Sequence, residues 1–232
     1  MLRLGAHESI AGGLHRAFDR GRRAGCEALQ IWVKNSRQWA APPLTAEDVE
    51  QFQEAWAETE IYPVVAHAAY LINVASPRPA LRTRSVEALI VELERCERLN
   101  VPYLVLHPGA HTGAGEEQGL CLVAQSLGEV HAAVPGYETR ILLETTAGAG
   151  TVLGYRFEQL ARLLAETPEG ERLGICMDTC HVFTAGYELR TREGYAATMA
   201  AFEASIGLER LEAIHLNDSK YPFGSHKDRH AH

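Results

Sequence analysis

Six short apolar runs in this chain each end in a residue that can bind a metal ion or a proton. Residues 2–6 run into His7, 64–66 into His67, 103–106 into His107, 141–143 into Glu144, 173–177 into Asp178 and 213–214 into His215. His181 stands three residues after Asp178, and Asp228 and His230 follow the last run. Short apolar runs of this kind are buried strands, and a charged or imidazole side chain at the strand's end belongs to a site at its tip. Buried acids are rare unless they are paired or bound to metal. His67, His107, Glu144, Asp178, His181, His215, Asp228 and His230 therefore form a candidate ligand set, with His7 as a ninth member. Imidazole nitrogen and carboxylate oxygen together suit a borderline ion such as zinc. The spacings Asp178-x-x-His181 and Asp228-x-His230 let both members of each pair face one ion.

Between the runs lie stretches with apolar residues at helical period. One opens after Gly12-Gly13 with Leu14, Ala17 and Phe18 on one face. A second starts at Thr45, an N-cap residue followed by the acids Glu47 and Asp48, with Val49, Phe52 and Trp56 as its buried face. Further helices are expected over about 79–99, 117–133, 157–165 and 192–206. Seven strands alternating with six helices give a parallel sheet with right-handed crossovers. Ligands at the carboxyl ends of successive strands favour a TIM (β/α)8 barrel over an open sheet, because only a barrel gathers all those ends at one face. A barrel needs an eighth strand, and residues 217–232 read as loop. The expectation is a single TIM-barrel domain over residues 1–232, its C-terminus truncated and its eighth strand missing.

The length and an apolar share of 46% suit one globular domain with a full core. No apolar run approaches the roughly 18 residues of a membrane span, and no signal-peptide pattern opens the chain. Five cysteines, an odd number in a chain with no need of staples, point to a reducing cytoplasm. The net charge of −8 argues against nucleic acid when taken alone. The ligand acids supply several of those charges, however, and bound cations would offset them locally. Cys176 and Cys180 have a CxxxC spacing that differs from the usual zinc motif and read as structural. Gly148 and Gly150 fit no phosphate-binding pattern and read as turn residues. His15 and His131 lie in helical stretches and read as surface or packing residues. The loops above the tips mix cations, amides and aromatic surface: Lys34, Asn35, Arg37 and Trp39 after the second strand, Tyr70 and Leu71 after the third. Beside a metal site, such groups can grip phosphates and push into a base stack.

These residues fall into motifs that resemble endonuclease IV, the AP endonuclease family 2. The motifs are Gly5-Ala6-His7-x-Ser9 with Gly12-Gly13, Lys34-Asn35-x-Arg37-Gln38-Trp39, His67-x-x-Tyr70-Leu71-Ile72-Asn73 and His107-Pro108-Gly109. They continue as Glu144-x-Thr146-Ala147-Gly148-x-Gly150, Asp178-Thr179-Cys180-His181, His215-Leu216-Asn217-Asp218-Ser219-Lys220 and Asp228-Arg229-His230. The resemblance implies a TIM barrel with three zinc ions, manganese being compatible with some of the sites. It implies one ion on His67, His107 and Glu144, a second on Glu144, Asp178 and His215, and a third on His181, Asp228 and His230. It implies DNA contacts by Asn35, Arg37, Tyr70, Leu71, Asn73, Lys220 and Arg229. The implied activity is hydrolysis of the phosphodiester 5′ to an abasic site in duplex DNA, leaving a 3′-hydroxyl and a 5′-deoxyribose phosphate, in base excision repair by a cytoplasmic monomer. Glu144 is the implied catalytic residue. Thr145 stands where the family usually has Asn, Ala149 where it usually has Gln, and the family's last ligand, a Glu on the eighth strand, would fall beyond His232. A metal-dependent sugar isomerase barrel and a non-catalytic DNA- or metal-binding form remain as alternatives.

Overall fold

The structure, a computed structural model, describes residues 2–231; Met1, and His232, which falls in the stretch read above as loop, lie outside them. Seven strands follow one another in chain order in one parallel sheet: β1 (Gly5–His7), β2 (Ala28–Ile31), β3 (Val64–His67), β4 (Tyr103–Leu106), β5 (Arg140–Glu144), β6 (Leu173–Asp178) and β7 (Leu211–His215). Helices α1 (Arg16–Ala24), α2 (Ala46–Ala57), α3 (Pro79–Arg98), α4 (Glu116–Ala133), α5 (Phe157–Glu166), α6 (Thr179–Ala185) and α7 (Arg192–Ser205) alternate with them. The fold class is the α/β TIM barrel, and the parallel sheet has seven strands among the described residues. No helix among those residues is long and apolar enough to cross a membrane.

The chain forms two compact units. The first comprises Met1–Ile72, Glu87–Val105 and Val134–Arg140. In it β1, β2, β3 and β4 pair in parallel, with Gly5 opposite Ala28, Leu29 opposite Val64 and Val65 opposite Tyr103. The sequence suggested a first strand over 2–6, but the ladder starts only at Gly5 and includes His7. A Cβ at position 5 would collide with the Ala28 carbonyl, so the glycine permits the approach that begins the pairing. Leu2 and Leu4 are exposed. Apolar character alone makes the first run look like a buried strand; its strand is the first in the sheet order among the described residues. Phe18 of α1 packs edge-on against Phe52 of α2 at 5.0 Å, and both are buried. The Thr45 side chain accepts from Asp48 N at 3.0 Å while Asp48 Oδ2 accepts from Thr45 N at 2.9 Å, a reciprocal cap that fixes the start of α2.

The second unit comprises Asn73–Val86, Leu106–Ala133 and Ile141–His232. In it β5, β6 and β7 pair in parallel, with Glu144 opposite Cys176 and Asp178 opposite His215. The register shifts between Ile175 and Cys176, so the tips of β6 and β7 end level. All six residues of β6 are buried, as a strand covered on both faces requires. Two features differ from the sequence reading. First, α6 follows β6 at once, where no helix was expected. Asp178 is its N-cap, its carboxylate accepting from His181 N at 2.9 Å, and Gly186 closes it in a left-handed conformation. A helix of seven residues is too short to show a periodic face. Second, the stretch read as loop holds a small antiparallel ladder, β8 (Asp218–Ser219) with β9 (His230–Ala231). Ser219 pairs with His230, which returns the end of the described chain to the tip of β7.

Candidate metal centre

In the second unit seven of the eight expected ligands lie near two buried carboxylates, Glu144 and Asp178: His107 just after β4, Glu144, Asp178 and His215 at the ends of β5, β6 and β7, His181 on α6, and Asp228 and His230 near the end of the described chain. Glu144, the last residue of β5, is 2% exposed. His107 Nε2 lies 2.9 Å from its Oε2 and His215 Nδ1 lies 2.8 Å from its Oε1. His181 Nδ1 is 3.6 Å from Oε1. Asp178, wholly buried, lies beside them: its Oδ2 is 3.9 Å from His215 Nδ1 and 3.7 Å from His230 Nε2. His181 Nε2 is 3.2 Å from Asp228 Oδ2 and 3.5 Å from His230 Nε2, and Asp228 Oδ1 is 3.4 Å from His230 Nε2. Two triads, Glu144–Asp178–His215 and Asp178–His181–His230, each bring one donor atom per residue within 4.8 Å of the others. That spacing, with nitrogen and oxygen donors on one carboxylate core, fits divalent cations.

Hydrogen bonds to the backbone hold these ligands in place. The His181 ring donates Nδ1–H to the Thr145 carbonyl at 2.8 Å, which selects the tautomer whose Nε2 faces Asp228 and His230. Thr145 Oγ1 accepts from Asp178 N at 2.8 Å. Asn217 Nδ2 donates to Asp178 Oδ2 at 2.6 Å, and Thr179 Oγ1 accepts from Asn217 N at 2.9 Å. Thr145, Thr179 and Asn217 support the ligands although none of them ends an apolar run. The signal was present in their position next to a ligand or in the same turn.

The clustering shifts the ionisation of the ligands. Burial would lower the His181 pKa, but its bond to Asp228 and the charges of Asp178 and Glu144 outweigh that and raise it to about 9. His215 is also raised, burial being outweighed by its hydrogen bond to Glu144. Asp228 is lowered, chiefly by its bond to His181. Burial drives the Cys176 thiol well above its ordinary value, helped by Glu144 and Asp178, and Cys180 is raised by burial too. Neither cysteine offers a ready thiolate, in line with their reading as structural.

His67 occupies the tip of β3 in the first unit, buried, with Nδ1 2.8 Å from the Ala68 carbonyl. That hydrogen bond leaves Nε2 as its ligand atom. Trp32 lies against three rings there, 4.8 Å from His7, 4.9 Å from His67 and 4.9 Å from Tyr70. Tyr70 is 67% exposed, and Leu71 is half-buried. Asn35 and Arg37 are exposed on the loop after β2, where Asn35 Oδ1 accepts from Arg37 N at 2.9 Å. Asn73, in the second unit, donates from Nδ2 to Ala110 O at 3.0 Å and accepts from Ala110 N and Ala75 N. Its amide thus fastens the loop after β4. Lys220 and Arg229 are exposed and joined through their backbones at 3.0 Å. His131 is buried in α4, with Nδ1 2.9 Å from Pro168 O, a packing role. His15 immediately precedes α1.

The sequence model of the xylose isomerase-like TIM barrel family matches residues 18–232. A protein of Chloroflexus aggregans named probable endonuclease 4 is 53% identical over all 232 residues, which span 81% of its own length. The crystal structure of endonuclease IV from Thermus thermophilus superposes with a TM-score of 0.89 at 35% identity, over 100% of this chain and 82% of that one. The chain belongs to the endonuclease IV family. A D-tagatose 3-epimerase-like protein shares the fold, with a TM-score of 0.73 at 20% identity, over 97% of this chain and 79% of that one. Thr145 serves Asp178 through its hydroxyl and His181 through its carbonyl.

Proposed function

We propose that this chain is a zinc-dependent AP endonuclease that hydrolyses the phosphodiester 5′ to an abasic site in duplex DNA, leaving a 3′-hydroxyl and a 5′-deoxyribose phosphate. The observation that carries the reading is the Glu144-centred cluster of imidazoles and carboxylates in a chain of the endonuclease IV family. Of three ions, one would be held by Glu144, Asp178 and His215, another by His181, Asp228 and His230, and His67 and His107 would serve with Glu144. Bound zinc supplies Lewis acidity toward a phosphate oxygen and lowers the pKa of water toward neutrality. Within the chain, Glu144 holds the attacking water by hydrogen bond. Thr145 and Asn217 keep His181 and Asp178 from turning away.

Exposed Arg37 and Asn35 grip backbone phosphates, and Lys220 and Arg229 extend the cationic contact. Tyr70 and Leu71 fill the gap left when the abasic nucleotide swings out, a small cost because no base has to be unstacked. Trp32, its ring 4.9 Å from that of Tyr70, braces that wedge. Asn73 serves by fixing its loop. The reaction requires a soluble setting with access to DNA, consistent with a cytoplasmic monomer engaged in base excision repair. The test is a gel assay on duplex DNA carrying one tetrahydrofuran abasic analogue, with zinc and after chelation. Zinc-dependent nicking 5′ to the analogue is expected; no nicking by zinc-loaded, folded protein would overturn the reading.

A further inference from the structure

Lys34 and Glu92 form a buried ion pair in the first unit that lies outside the cluster described above. Lys34 Nζ is 3.2 Å from Glu92 Oε1, and the two side chains are 2% and 1% exposed. Lys34 also donates to Gln38 O at 2.7 Å, across the turn that carries Asn35 and Arg37. Glu92 accepts from Ala69 N at 3.1 and 3.3 Å, and Ala69 stands between His67 and Tyr70. One turn further along α3, Arg95 donates from Nε to Val33 O at 2.6 Å and from Nη1 to Pro42 O at 2.8 Å. The two ends of the loop after β2, its middle, and the first residues after β3 are thus all tied to one side of α3.

We infer that the Lys34–Glu92 pair is a positioning device that sets the two DNA-facing loops of this unit in one register, an inference that rests on the proposed function. A buried ion pair is a poor stabiliser, since desolvation offsets its attraction, and replacing it with apolar residues of similar volume is often neutral. What the pair supplies here is geometry. Lys34 pins the Gln38 carbonyl, so Asn35 and Arg37 cannot slide outward. Glu92 pins the Ala69 amide, so Tyr70 projects from a fixed backbone. Arg37 and Tyr70 touch substrate in the proposed reading; Lys34 and Glu92 act only through them.

The test is the double variant Lys34→Met with Glu92→Leu in zinc-loaded protein. Amide hydrogen exchange is expected to accelerate at residues 34–39 and at Ala69 while β2 and β3 keep their protection. On tetrahydrofuran duplex, KM should rise ~tenfold, the loss of about one charged hydrogen bond, with kcat within about twofold of wild type. Unchanged exchange in the loops overturns the inference whatever the enzyme does. Accelerated exchange with unchanged KM also overturns it, because the loops would then not depend on the pair for binding. Failure of the wild type to nick the duplex overturns the proposed function and leaves the exchange result to decide the structural part. Should the double variant not fold, Glu92→Gln keeps the volume and the Ala69 acceptor but removes the charge. Faster exchange at 34–38 with Ala69 still protected is then expected, and protection throughout overturns the inference.

Discussion

Metal uptake by the proposed site would displace protons, and the number can be counted. In the metal-free protein His181 carries its proton up to about pH 9, held by Asp228, Asp178 and Glu144. Its Nδ1–H is committed to the Thr145 carbonyl at 2.8 Å, so the proton that leaves for a metal is the one on Nε2. At pH 7 that proton must be removed against a hundredfold preference, a cost of about 3 kcal/mol. Zinc affinity should therefore rise about tenfold per pH unit between 7 and 8.5. His215, also raised, adds to the slope. The assays are chelator competition at three pH values and calorimetry in two buffers of different ionisation enthalpy, which together report protons released per ion. About one or more at pH 7 is expected, and one fewer in His181→Gln. Affinity independent of pH, with no proton released, would refute the reasoning. The same shift governs stability without metal. A folded-state pKa above the ordinary 6.5 means that the His181 contribution is complete below pH 6.5 and is lost as pH rises through about 9. Metal-free protein should lose thermal stability over that window, while the zinc-loaded form, whose His181 is already neutral, should not.

Glu144→Gln should lower the rate of nicking at least ~100-fold, because it removes the carboxylate between His107 and His215; Kd for tetrahydrofuran duplex should stay close to wild type, and near-normal turnover would refute the role. Thr145→Val keeps the side-chain shape but strands the buried Asp178 N–H, so denaturant unfolding should show a loss of about 1–3 kcal/mol. Thr45→Ala breaks the reciprocal cap of α2 and should cost about 1 kcal/mol in the same measurement, with nicking unchanged. Trp32→Ala removes the ring against which Tyr70 rests and should raise KM for abasic duplex without lowering the zinc content of the His181–Asp228–His230 site.

What the sequence showed and what it hid divide along a physical line. β6 was readable because a strand buried on both faces needs an unbroken apolar run, and Asp178 ends that run. Asp178 and His215 each end an apolar run, and the parallel register sets them side by side. The α2 boundary was readable because capping chemistry is local, confined to Thr45 and Asp48. α6 is hard to read in the sequence because Asp178, which caps it, also ends an apolar run, and one carboxylate can do both. The β8–β9 ladder was hidden because two-residue strands carry no period. The burial of Lys34 was hidden for a different reason. A lysine after a strand tip looks like a solvated cation until its partner is known, and Glu92 lies on a helix distant in sequence.

That double use of Asp178 bears on how the site tolerates change. One oxygen accepts the His181 amide at 2.9 Å and thereby starts α6; the other receives Asn217 at 2.6 Å and faces His215 and His230. The same carboxylate that would hold a cation therefore also fixes where the His181 backbone begins its helix. His181 in turn is tied through its ring to Thr145, the residue after Glu144. Ligands from β5, β6 and α6 are thus tied to one another by hydrogen bonds among themselves and their neighbours. Removing Asp178 would disturb helix and ligand set together, and its effect could not be divided between folding and chemistry. Removing Glu144, which caps nothing, separates the two, and that is why the charge at position 144 rather than 178 is the informative one to neutralise.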